Sequence, residues 1–521
     1  MRRALAATAA VILIGALIAT APAQARDLRA AAGPDDVDTS NLTDAVTVNN
    51  MMKHMREFQN IANANENTRA SGLPGHEESA DYVAGVLKKA GYDVQRQTFT
   101  FPFFREVSPA TLTQLTPTEQ ELETAIFEYS GSGDVSGSVV PTNDLVIPAT
   151  PEPSSTSGCE ASDFEAAPAD PAIALVQRGS CTFEVKTDNA KAAGYDAVII
   201  FNEGNPGRTD LSVGTLGNPK DIPVVGLSYD DAVALNEDIT AGGATARVTT
   251  DVEVDLERET QNVIADLPGK TKTANPDQTV VVGAHLDSVV AGPGINDNGS
   301  GSAGILEIAK QMSALKLTKK LERPVRFAFW GAEESGLLGS EHYVSTLSAE
   351  ERAGIYANLN FDMIASPNYV RFVYDGDGSS GGVSGPPGSD AIEKVFTDFF
   401  DSKGQASDPT DFDGRSDYGP FIAAGIPAGG LFSGAEGVKT AEQAATYGGT
   451  ADAPYDPCYH QACDDITNLN TNSFSELGDA AAHATAVLTM SKAGLFPDGS
   501  RVPQRQQEKG AKLEAHGHPT R

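Results

Sequence analysis

Apolar positions recur at helical spacing soon after a polar lead-in. Met52, Met55, Phe58 and Ile61 form one stripe, and Ala80, Tyr82, Val83, Val86 and Leu87 a second, which predicts two amphipathic helices between residues 46 and 92. Gly91 supplies the stop, and residues 93–101 alternate as a strand. From Pro109 the texture changes. Thr, Ser, Gly and Pro dominate to about residue 160, broken by short apolar runs at 138–140 and 145–147. Strand-like pieces fall at 172–177, 197–202 and 222–227, with a helix carrying Val185, Ala190 and Ala193 between the first two. Short strands with few helices predict a small β-rich domain over residues 108–256.

From residue 261 strand and helix alternate. Residues 279–284 make a continuous apolar run, as expected of a strand covered on both faces. Helical spacing follows at 301–315, then a strand at 325–330, a helix at 337–347, a strand at 357–363, a helix at 392–400, a strand at 426–432 and a closing helix at 474–490. This predicts an α/β fold, a mostly parallel sheet flanked by helices. It would be assembled from residues 40–107 and 257–495, with 108–256 inserted between them. Residues 496–521 are polar without apolar periodicity and are expected to form a disordered tail.

A chain of 521 residues is too long for one ordinary core, so two domains are expected. Arg2 and Arg3 precede an apolar run from Ala4 to about Thr20, and Ala23-Gln24-Ala25 supplies small residues at cleavage spacing. Residues 1–25 therefore read as a secretory signal peptide, and a secreted, extracellular protein is expected. A formal net charge of -33 disfavours nucleic acid and membrane surfaces, since both carry phosphate or other anionic groups. Four cysteines in an exported chain are expected to form two disulfides. Three pairings are possible, and proximity favours Cys159–Cys181 and Cys458–Cys463, the second closing a loop around His460.

Ionisable residues gather at the C-terminal ends of the predicted strands, where open α/β sheets place their ligands. His285 and Asp287 follow the first strand, Asp297 lies in the Gly-rich loop 294–301, Glu333 and Glu334 follow the second strand, and Asp362 ends the third. His460 lies downstream in the cysteine loop. Any one of these alone would be unremarkable. Together they bring imidazoles and carboxylates without thiolate to one crevice, which suits catalytic zinc. So many buried acids would also repel one another, and divalent cations are the simplest neutraliser.

His285-Leu286-Asp287-Ser288, the 294–301 loop, Gly331-Ala332-Glu333-Glu334, Asn360-Phe361-Asp362-Met363 and Tyr459-His460 with Cys463-Asp464 occur in this order. Together they closely resemble the M28 family of di-zinc peptidases, in particular secreted bacterial aminopeptidases and the fungal vacuolar aminopeptidase. The resemblance covers residues 46–105 and 260–492. The insert resembles a protease-associated (PA) domain, most clearly in Ile173-Ala174-Leu175-Val176-Gln177-Arg178-Gly179 and at 192–198. The resemblance implies His285 and Asp362 on one zinc, Glu334 and His460 on the other, and Asp297 bridging the two. It implies Asp287 behind His285, Glu333 as the general base, Tyr459 on the developing oxyanion and Arg415 near the substrate. Met363 and Phe432 match positions lining a side-chain pocket, which suggests large apolar N-terminal residues; their bland alternative is core packing.

The implied protein is a monomeric aminopeptidase acting on peptides with a free N-terminus. Calcium, which some members bind near the last helix, is doubtful because Ser475 stands where an aspartate is expected. A carboxypeptidase of the family would need a basic cluster, a one-zinc aminoacyl cyclase is a further relative, and a silent binding module would have lost ligands.

Overall fold

The computed structural model describes residues 37–168, 171–267, 273 and 275–495; the expected signal peptide and tail lie outside them. The chain opens with a short helix α1 (Ser40–Thr43), then α2 (Val48–Ala64) and α3 (Pro74–Lys89). The Thr47 hydroxyl caps α2 by accepting from Asn50 N at 3.3 Å. Met51, Met55, Phe58 and Ala62 form its fully buried stripe, while Met52 is only partly covered. Of the stripe the sequence suggested, Met55, Phe58 and Ile61 are buried, and Met51 rather than Met52 completes it.

Strand β1 (Asp93–Thr116) runs well past the alternation that predicted it. It leads into β2 (Gln120–Leu122), β3 (Gly133–Pro141), β4 (Ala172–Gln177), α4 (Phe183–Ala192), β5 (Ala197–Phe201), β6 (Val224–Leu227) and α5 (Tyr229–Gly242). The chain returns along β7 (Ala244–Asp266), which pairs antiparallel with β1 from Asp93↔Asp266 to Thr116↔Thr245 with several register shifts. Positions 108 and 256 lie inside these two strands, so the inserted segment and the remainder share one long ribbon. Helix α5 was not foreseen: it buries only Ala232 and Leu235 among acidic residues, too narrow a stripe to read.

Beyond the ribbon come β8 (Thr279–His285), α6 (Gly301–Ala314), β9 (Val325–Trp330), α7 (Leu338–Thr346), α8 (Ala349–Ala353), β10 (Ile355–Phe361), β11 (Phe372–Tyr374), α9 (Ser389–Ser402), β12 (Asp408–Thr410), α10 (Tyr418–Ala423), β13 (Ala428–Phe432), α11 (Ala441–Tyr447) and α12 (Thr471–Met490). Strands β9, β8, β10 and β13 lie side by side and parallel. Antiparallel β11 borders β13, and on the other side Val263–Asp266 of β7 pair antiparallel with β9. The fold is α/β, a mixed sheet flanked by helices.

Alternation along β8 shows why both faces are covered. Val280, Val282 and Ala284 point into a core built with α2, α3, α6, α9 and α12, whereas Val281 meets Trp330, Tyr343, Val344 and Phe421 from β9, α7 and α10. Strand β10 stops before Asp362, two residues earlier than expected, because Met363 takes a left-handed φ of 53° and turns the chain out of the ladder. Disulfides join Cys159 to Cys181 and Cys458 to Cys463. Among the described residues no helix is long and apolar enough to cross a membrane.

Candidate metal centre

The parallel strands all end on the same side of the sheet, and their end loops converge there. His285 is the last residue of β8, Glu333 and Glu334 lie just past β9, and Asp362 follows β10. Asp297 comes from the turn at 295–300 that opens α6, and His460 from the disulfide-closed loop before α12. All six line one cleft of about 690 Å³, together with Met363, Phe372, Phe432, Arg415 and Tyr459. Asp287 lies beneath it, fully buried.

Two trios of ligand atoms form in the cleft. His285, Asp297 and Asp362 make one and Asp297, Glu334 and His460 the other, each with its atoms within 4.8 Å of one another. His285 Nε2 stands 3.2 Å from both Asp297 Oδ1 and Asp362 Oδ1. His460 Nε2 stands 3.3 Å from Asp297 Oδ2 and 3.0 Å from Glu334 Oε2. The two oxygens of Asp297 therefore face different imidazoles. Glu333 belongs to neither trio, with Oε2 3.8 Å from His285 Nε2.

Electrostatics describe a site short of positive charge. Burial pushes Glu333 well above the carboxylate range, and it also raises Glu334, helped by Asp297. Burial opposes charge on His460, yet Glu334 and Asp297 push it up to about 11. Burial likewise works against His285, and Glu333 and Asp362 override it. The bare cluster thus recruits protons, which a bound metal would displace. Glu334 Oε1 and Asp287 Oδ2 are buried without a hydrogen-bond partner. Nitrogen and oxygen donors, a shared carboxylate and this orphaned ligand oxygen all fit zinc. A third acidic trio, Asp375, Asp377 and Glu393, lies outside the cleft, and Asp375 is already occupied by the amides of residues 378–380.

Further side chains support these groups. Asp464 accepts the amides of Asn296 and Asp297, each at 2.9 Å, and so holds the turn that presents Asp297. Fully buried Arg69 donates through Nε to Pro293 O at 2.8 Å and through its other nitrogens to the Leu286 and Gly294 carbonyls. It ties the loop after β8 to the Asp297 turn. Ser416 Oγ donates to Asp362 Oδ2 at 2.5 Å and accepts from Asn360 Nδ2 at 2.8 Å. The Asp287 carbonyl lies 3.1 Å from His285 Nδ1 and its carboxylate 3.6 Å away. Arg415 donates to the Tyr459 hydroxyl at 3.2 Å and to Glu436 at 2.8 Å. Asp287, Arg415 and Asp464 were marked in the sequence by the motifs that hold them; Arg69, a lone Arg in a loop, carried no signal. Asp464→Asn leaves one acceptor oxygen for two amides. Zinc affinity, measured by chelator competition, is expected to fall about 10- to 100-fold while the melting temperature changes little.

Comparison with known proteins places the chain in a family. Residues 262–485 match peptidase family M28, and 135–235 match the PA domain. An aminopeptidase of Pseudomonas aeruginosa is 45% identical over 476 residues, covering 89% of this chain and 85% of that one. A probable leucine aminopeptidase 2 of Aspergillus fumigatus is 40% identical over 465 residues, covering 87% and 86%. Among solved structures, an aminopeptidase from Aneurinibacillus superposes with a TM-score of 0.65 at 26% identity, covering 88% of this chain and 97% of that one. A zinc aminopeptidase from Bacillus subtilis superposes with a TM-score of 0.62 at 26% identity, covering 86% and 97%. With these similarities the chain belongs to peptidase family M28, zinc-dependent peptidases, and carries a PA domain.

Proposed function

We propose that the protein is an exported aminopeptidase that removes large apolar residues from peptide N-termini, using two zinc ions. The observation that carries this is Asp297, one carboxylate shared by two three-ligand groups in an open cleft. His285 and Asp362 would hold one ion, Glu334 and His460 the other. Such a pair polarises a carbonyl and lowers the pKa of water.

The remaining work falls to this chain's own groups. Glu333, free of both trios, takes the proton from the attacking water at its carboxylate and passes it to the leaving amine. The Tyr459 hydroxyl donates to the oxyanion, with Arg415 holding it from the other side. Among the described residues lining the cleft, Arg415 is the sole Lys or Arg, and Glu436 already pairs with it. A substrate carboxylate finds no free cation there, whereas a protonated α-amine meets Glu333, Asp411 and Asp413. Met363, Phe372, Phe432 and Tyr455 supply apolar wall for the first side chain. Hydrolysis of aminoacyl-nitroanilides with N-acetylated controls tests the assignment. Cleavage of the acetylated substrates at equal rate would defeat it.

The paired disulfides favour an oxidising compartment and hence export. The PA segment, residues 108–256 in outline, contains none of the cleft's residues and is assigned to substrate access. Joining Arg105 to its Cα partner Glu253 through a short Gly/Ser turn removes the outer ribbon while keeping Phe99, Phe101 and Phe103 in their cluster. Turnover of a small aminoacyl substrate is expected to stay within about tenfold, or roughly 1.4 kcal/mol. A folded, zinc-loaded deletion variant unable to cleave it would place part of the active site in the insert.

A further inference from the structure

Glu333 and Glu334 stand on a loop that leaves β9 at Gly331 and rejoins the fold at Gly339, in the first turn of α7. Inside the loop the Glu333 carbonyl accepts from Gly336 N and Leu337 N at 2.8 Å each, and Leu338 N donates to Ala332 O at 3.0 Å. These bonds give the loop its shape but do not attach it to the sheet. Its neck is narrow: a Cβ on Gly339 would stand 2.1 Å from Gly331 O and 2.4 Å from Asn262 Oδ1.

Asn262, fully buried on β7, sits at that neck. Its Oδ1 accepts from Gly331 N at 3.0 Å. Its Nδ2 donates to Gly339 O at 2.8 Å on the other side and to Gln97 Oε1 of β1 at 3.0 Å. Beside it, Thr260 Oγ1 donates to Ser71 Oγ at 3.1 Å, and Ser71 Oγ accepts from Ala332 N at 2.6 Å. Ala332 holds a left-handed φ of 51°, which a non-glycine residue keeps only where its surroundings over-determine it. Two side chains thus hold successive amides immediately before Glu333.

We propose that Asn262 is a positioning residue of the hydrolysis: by bridging Gly331 and Gly339 it closes the neck of the loop and sets where the Glu333 and Glu334 carboxylates stand. This rests on the reading of Glu333 as general base and Glu334 as zinc ligand. A short amide suits the task because one planar head offers both an acceptor and donors. An aspartate keeps the acceptor and loses the donors, and a leucine of similar size loses both. The anchor is rigid, since Asn262 pairs with Gln97 of β1 and the ladder from β7 to β9 begins at the next residue, Val263.

Asn262→Leu and Asn262→Asp are to be compared with the wild-type chain by melting temperature, zinc affinity from chelator competition, kcat and KM on leucine nitroanilide, and the pH profile of kcat/KM. A loop displaced by about 1 Å is expected to lower kcat about 10²-fold in Asn262→Leu with KM nearly unchanged. One of the two zinc ions should bind more weakly and the acid limb of the pH profile should move, because both glutamates have shifted. Asn262→Asp should fall between the two. If Asn262→Leu fails to fold, Asn262→Asp and Gln97→Leu, which removes only the β1 partner, carry the same comparison. Variants with a lower melting temperature but wild-type kcat, pH profile and zinc affinity would overturn the proposal. A wild-type chain without zinc-dependent aminopeptidase activity would instead sink the functional reading, and the zinc-affinity comparison would still test the clamp.

Discussion

Glu333→Ala is expected to lower kcat by about two to four decades and to leave the metal content of the protein unchanged. The size is the usual worth of a positioned general base, and the selectivity follows from geometry. Glu333 sits beside the His285–Asp297–Asp362 trio without belonging to it. Glu334, its neighbour, contributes Oε2 to the other trio at 3.0 Å from His460. Glu334→Ala is therefore expected to lose one metal. Kinetics paired with elemental analysis of both variants decide the matter: if Glu333→Ala lost zinc and Glu334→Ala kept it, the two roles would be reversed.

Stripping the protein with a chelator is expected to abolish activity, and added zinc to restore it with about two ions per chain. Asp297→Ala should resist such restoration, because its two oxygens serve both imidazoles and no other residue belongs to both trios. Zinc uptake should also release protons at neutral pH. In the bare cluster His460 is pushed up to about 11 and so is charged, and it must give up that proton to coordinate. Calorimetry in buffers of different ionisation enthalpy measures the release. A stripped preparation with full activity would remove the metal from the reaction altogether.

Much of the fold was legible because burial leaves a simple record. β8 is covered on both faces and reads as an unbroken apolar run, while α2, α3, α6 and α12 carry apolar residues at helical spacing. The chemistry-bearing residues were legible for a related reason. His285 ends the apolar run of β8 and Asp362 follows β10, and a parallel sheet delivers such ends to one crevice. In α2 only Met52 was misplaced, Met51 being the buried neighbour, whereas α5 was missed because it buries just Ala232 and Leu235 among polar residues.

Sequence by itself determined the alternation of elements, the ligand types and their order along the chain. These depend on neighbours a few residues away and on the period of the backbone. Tertiary structure alone decided that one ribbon of β1 and β7 would serve both parts of the chain. It set the distances, with the two oxygens of Asp297 3.2 and 3.3 Å from two imidazoles and Glu333 Oε2 3.8 Å from His285. It also brought Arg69, Asn262, Ser416 and Asp464 to the backbone and side chains they hold. Those partners lie tens to hundreds of residues away, and a lone polar residue leaves no periodic trace of a distant contact.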